Sequence, residues 1–92
     1  VTEKLNMAED LNVRRKRILF QARHRGTKEA DLLIGRFVEA HLAGFTPPDL
    51  DALEAVMAEQ DLDLVAWIIG GVTPPPAANT PMLARIIAYH TA

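Results

Sequence analysis

The search for chemistry in this chain narrows quickly, because the sequence contains neither cysteine nor serine. Without cysteine there are no disulfides, thiolate metal sites, iron–sulfur clusters or sulfur nucleophiles. Without serine, the serine–histidine–aspartate arrangement is excluded. His24, His41 and His90 are the only imidazoles. None belongs to an HExxH pattern, and none keeps metal-ligand spacing with paired carboxylates. They read as surface or helix-end residues. There is no glycine-rich phosphate loop, and Gly70-Gly71 reads as a helix stop.

Charge is the remaining source of function, and it is unevenly placed. Residues 1–36 carry nine basic against five acidic side chains, and residues 37–92 carry one against seven, so a net −2 conceals a +4 half and a −6 half. Such asymmetry directs the basic end toward an anionic partner without naming its class. Arg14-Arg15-Lys16-Arg17 is the densest basic run, and phosphate neutralisation is its natural chemistry. Three features oppose a nucleic-acid reading. The isoelectric point is near 5.9, where a basic binding domain exceeds about 9. The run has no interleaved aromatics for base stacking. Four consecutive helical residues also form a collar rather than a stripe.

Arg23-His24-Arg25-Gly26-Thr27-Lys28-Glu29 is the richest polar stretch. One reading is a helix–turn–helix corner, with basic residues at the negative end of one helix and Glu29 at the positive start of the next. The other is a docking corner, in which two arginines, a glycine permitting close backbone approach and a carboxylate one turn on meet a partner. Both fit the composition. Asp61-Leu62-Asp63-Leu64-Val65-Ala66-Trp67 reads structurally: Asp61 as N-cap, Asp63 favourable to the helix dipole, Trp67 in the core.

These residues need elements to hold them. Ninety-two residues make one small domain. With 49% hydrophobic and 24% charged residues it is globular in composition. Residues 1 to about 8 read as a loose polar lead-in. A first helix runs from Asp10 or Asn12 to about His24, with Leu11, Val13, Ile18, Leu19 and Ala22 on its buried stripe. Gly26 follows as its C′ residue and Thr27 caps a second helix reaching about Ala43. Thr46-Pro47-Pro48-Asp49 starts a third helix that extends to about Gln60. A short fourth helix begins at Asp61 and stops at Gly70-Gly71. Thr80-Pro81 opens a fifth. No segment alternates with period two, so the expected fold is all-α, a compact five-helix bundle.

No stretch of about 18 apolar residues is present, so no bilayer-spanning segment is expected. The charged N-terminal residues do not resemble a secretory signal, and Glu3, Glu9 and Asp10 are foreign to a transit peptide. The expectation is a soluble, cytoplasmic monomer.

Arg25-Gly26-Thr27-Lys28-Glu29 resembles the RGxxE motif of the succinate dehydrogenase assembly factors, the small flavinator proteins of bacteria and mitochondria. Residues Arg14 to Phe20 and then Arg23-His24-Arg25-Gly26 resemble the same family's basic and apolar run ending in R-G. Glu29, Asp31-Leu32-Leu33-Ile34 and Phe37 resemble its E…DLLL…F segment, and Asp61, Asp63, Leu64 and Trp67 its D-x-D-[LI]-x-x-W segment. The likeness spans roughly residues 14–70. His24 departs from a position more often Arg or Lys.

The resemblance implies a five-helix fold and an assembly function rather than an enzyme. It implies binding to the flavoprotein subunit of succinate dehydrogenase, with fumarate reductase as a further client, and promotion of covalent FAD attachment to a histidine of that subunit. It implies a partner-binding site made of Arg23, His24, Arg25, Gly26, Glu29 and Asp31, with no tightly bound cofactor, no metal, no nucleic acid and no membrane insertion. The rival readings are a helical nucleic-acid-associated protein using residues 14–17 and a generic helical adaptor.

Overall fold

Local capping chemistry divides the chain into helices much as the sequence predicts. The computed structural model describes residues 2–91, with side chains from Asp10 onward. The elements are α1 (Thr2–Arg23), α2 (Lys28–His41) continued by a 3₁₀ turn at Leu42–Gly44, α3 (Pro47–Met57), α4 (Asp61–Ile68) and α5 (Pro81–Thr91). No strand occurs among the described residues. The hydroxyls of Thr27 and Thr80 accept from the Ala30 and Leu83 amides, each at 3.2 Å. Thr46 and Asp49 form a reciprocal capping box at the start of α3. Gly71, at φ 72°, takes the left-handed conformation after α4 that other residues adopt only with strain.

Two boundaries differ from expectation. Helix α1 begins at Thr2 rather than after a lead-in through residue 8. Thr2–Asp10 contains no glycine or proline, and Glu, Lys, Leu, Met and Ala all propagate a helix, so nothing in the sequence stops it. Helix α3 ends at Met57, short of Gln60, where the Met57 and Glu59 carbonyls accept from Arg25.

Helix α2 is central, touching α1, α4 and α5, while α3 packs on α1 and α5. Its Ile34, Phe37 and Val38 are buried against Ile18 and Ala22 of α1, Leu50, Leu53 and Val56 of α3, Leu64, Trp67 and Ile68 of α4, and Met82, Leu83 and Ile86 of α5. The α1–α2 crossing uses small residues. Ala22, Ala30 and Gly35 are buried, and a Cβ added to Gly35 would lie 3.4 Å from the Ala22 carbonyl oxygen. Of the stripe expected on α1, Leu11, Ile18, Leu19 and Ala22 are buried or partly buried, whereas Val13 faces solvent.

Candidate functional site

The α1–α2 turn, residues 24–27, folds onto the α3–α4 connection, and Arg25 joins the two. Its Nε–H donates to Asp61 Oδ1 at 2.6 Å. Its terminal nitrogens donate to the carbonyls of Met57 and Glu59, both at 3.0 Å. Met57 is the last residue of α3, so its carbonyl is one of the unsatisfied C-terminal groups that any helix leaves behind. Arg25 thus caps α3 from a distant part of the chain while also holding the loop carbonyl of Glu59. The Arg25 and Asp61 side chains are only 10% and 17% exposed. This arginine is engaged within the chain at all three guanidinium nitrogens.

Gly26 continues the same contact. Its N–H donates to Asp61 Oδ2 at 2.7 Å. A Cβ on Gly26 would lie 2.8 Å from that oxygen, and Gly26 does not have a positive φ. Its missing side chain therefore makes room for Asp61, not for a left-handed turn. Asp61 does not cap α4 as the sequence reading had it. Gln60 occupies the N-cap position without a side-chain cap bond, and both Asp61 oxygens reach across to the turn. The sequence carried one signal of this: R-G and D-x-D are separate segments of one resemblance, though 35 residues apart.

The remaining expected site residues surround this latch. Asp31 accepts a hydrogen bond from the Arg25 amide, tying the turn to the first helical turn of α2. Glu29 sits in that first turn, exposed, with no hydrogen-bond or ion-pair partner among the described residues. Arg23 points away along α1 and pairs with Glu39 at 2.6 Å, both half exposed. His24 Nδ1–H donates to the Phe20 carbonyl at 2.7 Å, and the two rings stack 4.0 Å apart. Phe20 is 63% exposed, so this pair presents a flat, solvent-facing surface beside the turn. The structure thus brings Arg25, Gly26 and Asp31 into one hydrogen-bonded corner, joined by Asp61. Arg23 and His24 lie on its α1 side.

A shallow, open depression borders the corner, lined by Arg25, Met57, Ala58, Glu59, Gln60, Asp61, Leu62 and Asp63. It offers backbone polar groups and carboxylates to a partner surface. Among the described residues no group of three or more histidines and carboxylates is placed to hold a metal ion. No helix among them is long and apolar enough to cross a membrane.

The basic run resolves differently from its sequence appearance. Arg14 lies 2.6 Å from Asp51 and 2.5 Å from Glu54. Arg15 donates to the Phe45 carbonyl at 3.0 Å. Only Lys16 and Arg17 remain fully directed at solvent, which halves the collar that a nucleic-acid interface would use.

The family described as flavinator of succinate dehydrogenase matches residues 16–90. The chain is 43% identical over 82 residues to a protein named FAD assembly factor SdhE from Acetobacter pasteurianus, covering 88% of this chain and 75% of that one. It is 39% identical over 70 residues to a protein named mitochondrial succinate dehydrogenase assembly factor 2 from Debaryomyces hansenii, covering 74% of this chain and 49% of that one. The correspondingly named protein of Yarrowia lipolytica is 29% identical over 82 residues, with 85% and 57% covered. The chain spans three quarters of the bacterial relative and about half of the yeast ones.

Proposed function

The chain belongs to the succinate dehydrogenase flavinator family, and we propose that it binds the flavoprotein subunit of that enzyme and promotes covalent attachment of FAD to it. The observation that carries this reading is the corner itself: a turn clamped by Arg25, Asp61 and Asp31, with the Glu29 carboxylate exposed in the first turn of α2 and unpartnered among the described residues. A clamped turn presents its polar groups without an ordering cost at each encounter. An exposed carboxylate there can form charge-assisted hydrogen bonds with a partner's arginine or backbone amides.

In this reading the chain is not an enzyme. FAD and the histidine it joins both belong to the partner, and the chain acts by holding that partner where the two meet, a gain in proximity and orientation. It works as a monomer in the cytoplasm, holds no flavin tightly itself, and serves a fumarate reductase flavoprotein as a second client. Glu29 and the outward faces of Gly26, His24 and Arg23 meet the partner, while Arg25 and Asp31 keep the corner in shape.

The test is co-expression of the flavoprotein subunit with this chain or its Glu29→Ala variant. In-gel flavin fluorescence reads covalent FAD, and circular dichroism controls for folding. The expected outcome is a folded variant with covalent flavin sharply reduced. Normal flavinylation with Glu29→Ala would remove Glu29 from the site.

A further inference from the structure

The Asp61 carboxylate is the hub of the corner, and we propose that it is a positioning residue for flavinylation, setting the geometry in which the Arg25-to-Glu29 segment meets the flavoprotein. The inference rests on the functional reading above. Asp61 opens α4, yet it serves no cap there: each of its oxygens takes a hydrogen bond from the α1–α2 turn, Oδ1 from Arg25 and Oδ2 from the Gly26 amide. Holding the Gly26 N–H also fixes the Arg25–Gly26 peptide plane. In a planar trans peptide the Arg25 carbonyl must then head the opposite way, and among the described residues no group donates to it. One residue further on, Thr27 caps α2 and sets where Glu29 is carried. Rotation of Asp61 would therefore reorient both the free carbonyl and the free carboxylate.

This assignment gives Gly26 a different reason for being glycine. Nothing in its backbone conformation demands it, whereas a Cβ would press against Asp61 Oδ2 at 2.8 Å. The close approach that glycine permits is the chain's own carboxylate. Substitution at Gly26 and substitution at Asp61 should then act through one contact and be strongly non-additive.

The experiment measures covalent flavin on the purified flavoprotein subunit with FAD as a function of factor concentration, at a temperature where circular dichroism shows each variant folded. Asp61→Asn keeps the side-chain volume but replaces one acceptor by an NH2, so either Arg25 Nε–H or the Gly26 N–H faces a donor. The factor concentration for half-maximal rate should rise about tenfold or more, the equivalent of one charge-assisted hydrogen bond. Asp61→Glu keeps the charge and adds one methylene, so it serves as the second variant, and it too should shift half-saturation upward. A residue important only for folding would leave half-saturation of the folded protein unchanged, and that result overturns the proposal.

In parallel, thermal melts compare Gly26→Ala in the wild-type chain and in the Asp61→Ala chain. The expected outcome is a clear loss in the first and little further loss in the second. An equal loss in both would detach Gly26 from Asp61 and overturn the shared contact. Wild-type chain that leaves flavinylation unchanged overturns the functional reading and the positioning role with it. A wild-type chain that works beside an Asp61→Asn chain that works equally well overturns the positioning role alone.

Discussion

Removing the Arg25 side chain should destabilise the protein far more than removing Glu29, although the two belong to one five-residue segment. Arg25→Ala deletes the Nε–H bond to Asp61 and the two bonds to the Met57 and Glu59 carbonyls. Hydrogen bonds to charged groups contribute about 1.5–3 kcal/mol each. Breaking a fully buried ion pair by removing one partner costs about 3–5 kcal/mol. Here Asp61 is 17% exposed and keeps the Gly26 amide, and the two carbonyls lie at a helix end that water can reach. These features move the total toward the lower figure, about 3 kcal/mol.

For a domain of this size each kcal/mol lowers the melting temperature by about 4–8 °C, so Arg25→Ala should melt roughly 12–24 °C below the wild type. Total stability for 92 residues is about 5–14 kcal/mol, so the variant remains folded in the cold. Glu29→Ala loses only an exposed first-turn carboxylate, about 0.3–1 kcal/mol. Thermal circular dichroism of the two variants, paired with flavin fluorescence of the client subunit, separates the roles. Arg25→Ala should lose stability and, once cooled until folded, still flavinylate poorly because the corner is released. An Arg25→Ala chain melting within about 3 °C of the wild type would refute the clamp, since the distances described here would then carry no energy.

Trp67 is 8% exposed and belongs to the core, so Trp67→Ala should cost about 3–5 kcal/mol, measured by urea unfolding; a fully stable, inactive variant would make it a contact residue instead. Asp49 should give stability a specific acid limb. The hydrogen bonds from the Thr46 amide and hydroxyl hold its carboxyl below the ordinary 3.8. The deprotonated form is thus favoured by folding, and the contribution is complete above the unfolded value and lost as pH falls through the lowered folded one. The melting-temperature gap between the wild type and Asp49→Asn should be constant near neutrality and shrink below about pH 4; a gap independent of pH would exclude the box as its cause.

What was legible in the sequence was what is local. Thr27, Thr46 with Pro47, and Thr80 with Pro81 each announce a helix start, because a cap bonds an amide only a few residues away. Apolar residues at helical spacing, Ile34, Phe37 and Val38, likewise form the buried face of α2. The start of α1 was misplaced because polar residues were taken as a break where no helix breaker stands. Val13 is spaced for the interior yet faces solvent, because residue type does not report which neighbours a helix face will find. Asp61 was missed for the same reason at greater range: first in an apolar run, an aspartate reads as a cap, and only the tertiary fold shows that its acceptors face a turn 35 residues earlier.

The charge asymmetry shows why this matters for function. Among the described residues, four close ion pairs, Arg14 with Asp51 and with Glu54, Arg23 with Glu39, and Arg25 with Asp61, each join the basic first part of the chain to its acidic remainder. The two halves neutralise one another across the α1 face and the corner, so the asymmetry that looked like an invitation to an anionic partner is in large part an internal attraction. Exposed ion pairs of this kind contribute little individually. The Arg25–Asp61 pair differs because it is mostly shielded, is forked by further hydrogen bonds, and sits where two loops meet. Among the described residues, the exposed charges without an ion-pair partner include Glu29, Lys28 and Arg36 on α2, Asp63 on α4, Arg85 on α5, and Asp10, Lys16 and Arg17 on α1. Of these, only Glu29 and Lys28 sit within two residues of the cap that the latch positions. Under the proposed function, specificity for a client concentrates at the first turn of α2, and the chemistry offered there is a carboxylate beside an ammonium, both carried on a corner clamped from within.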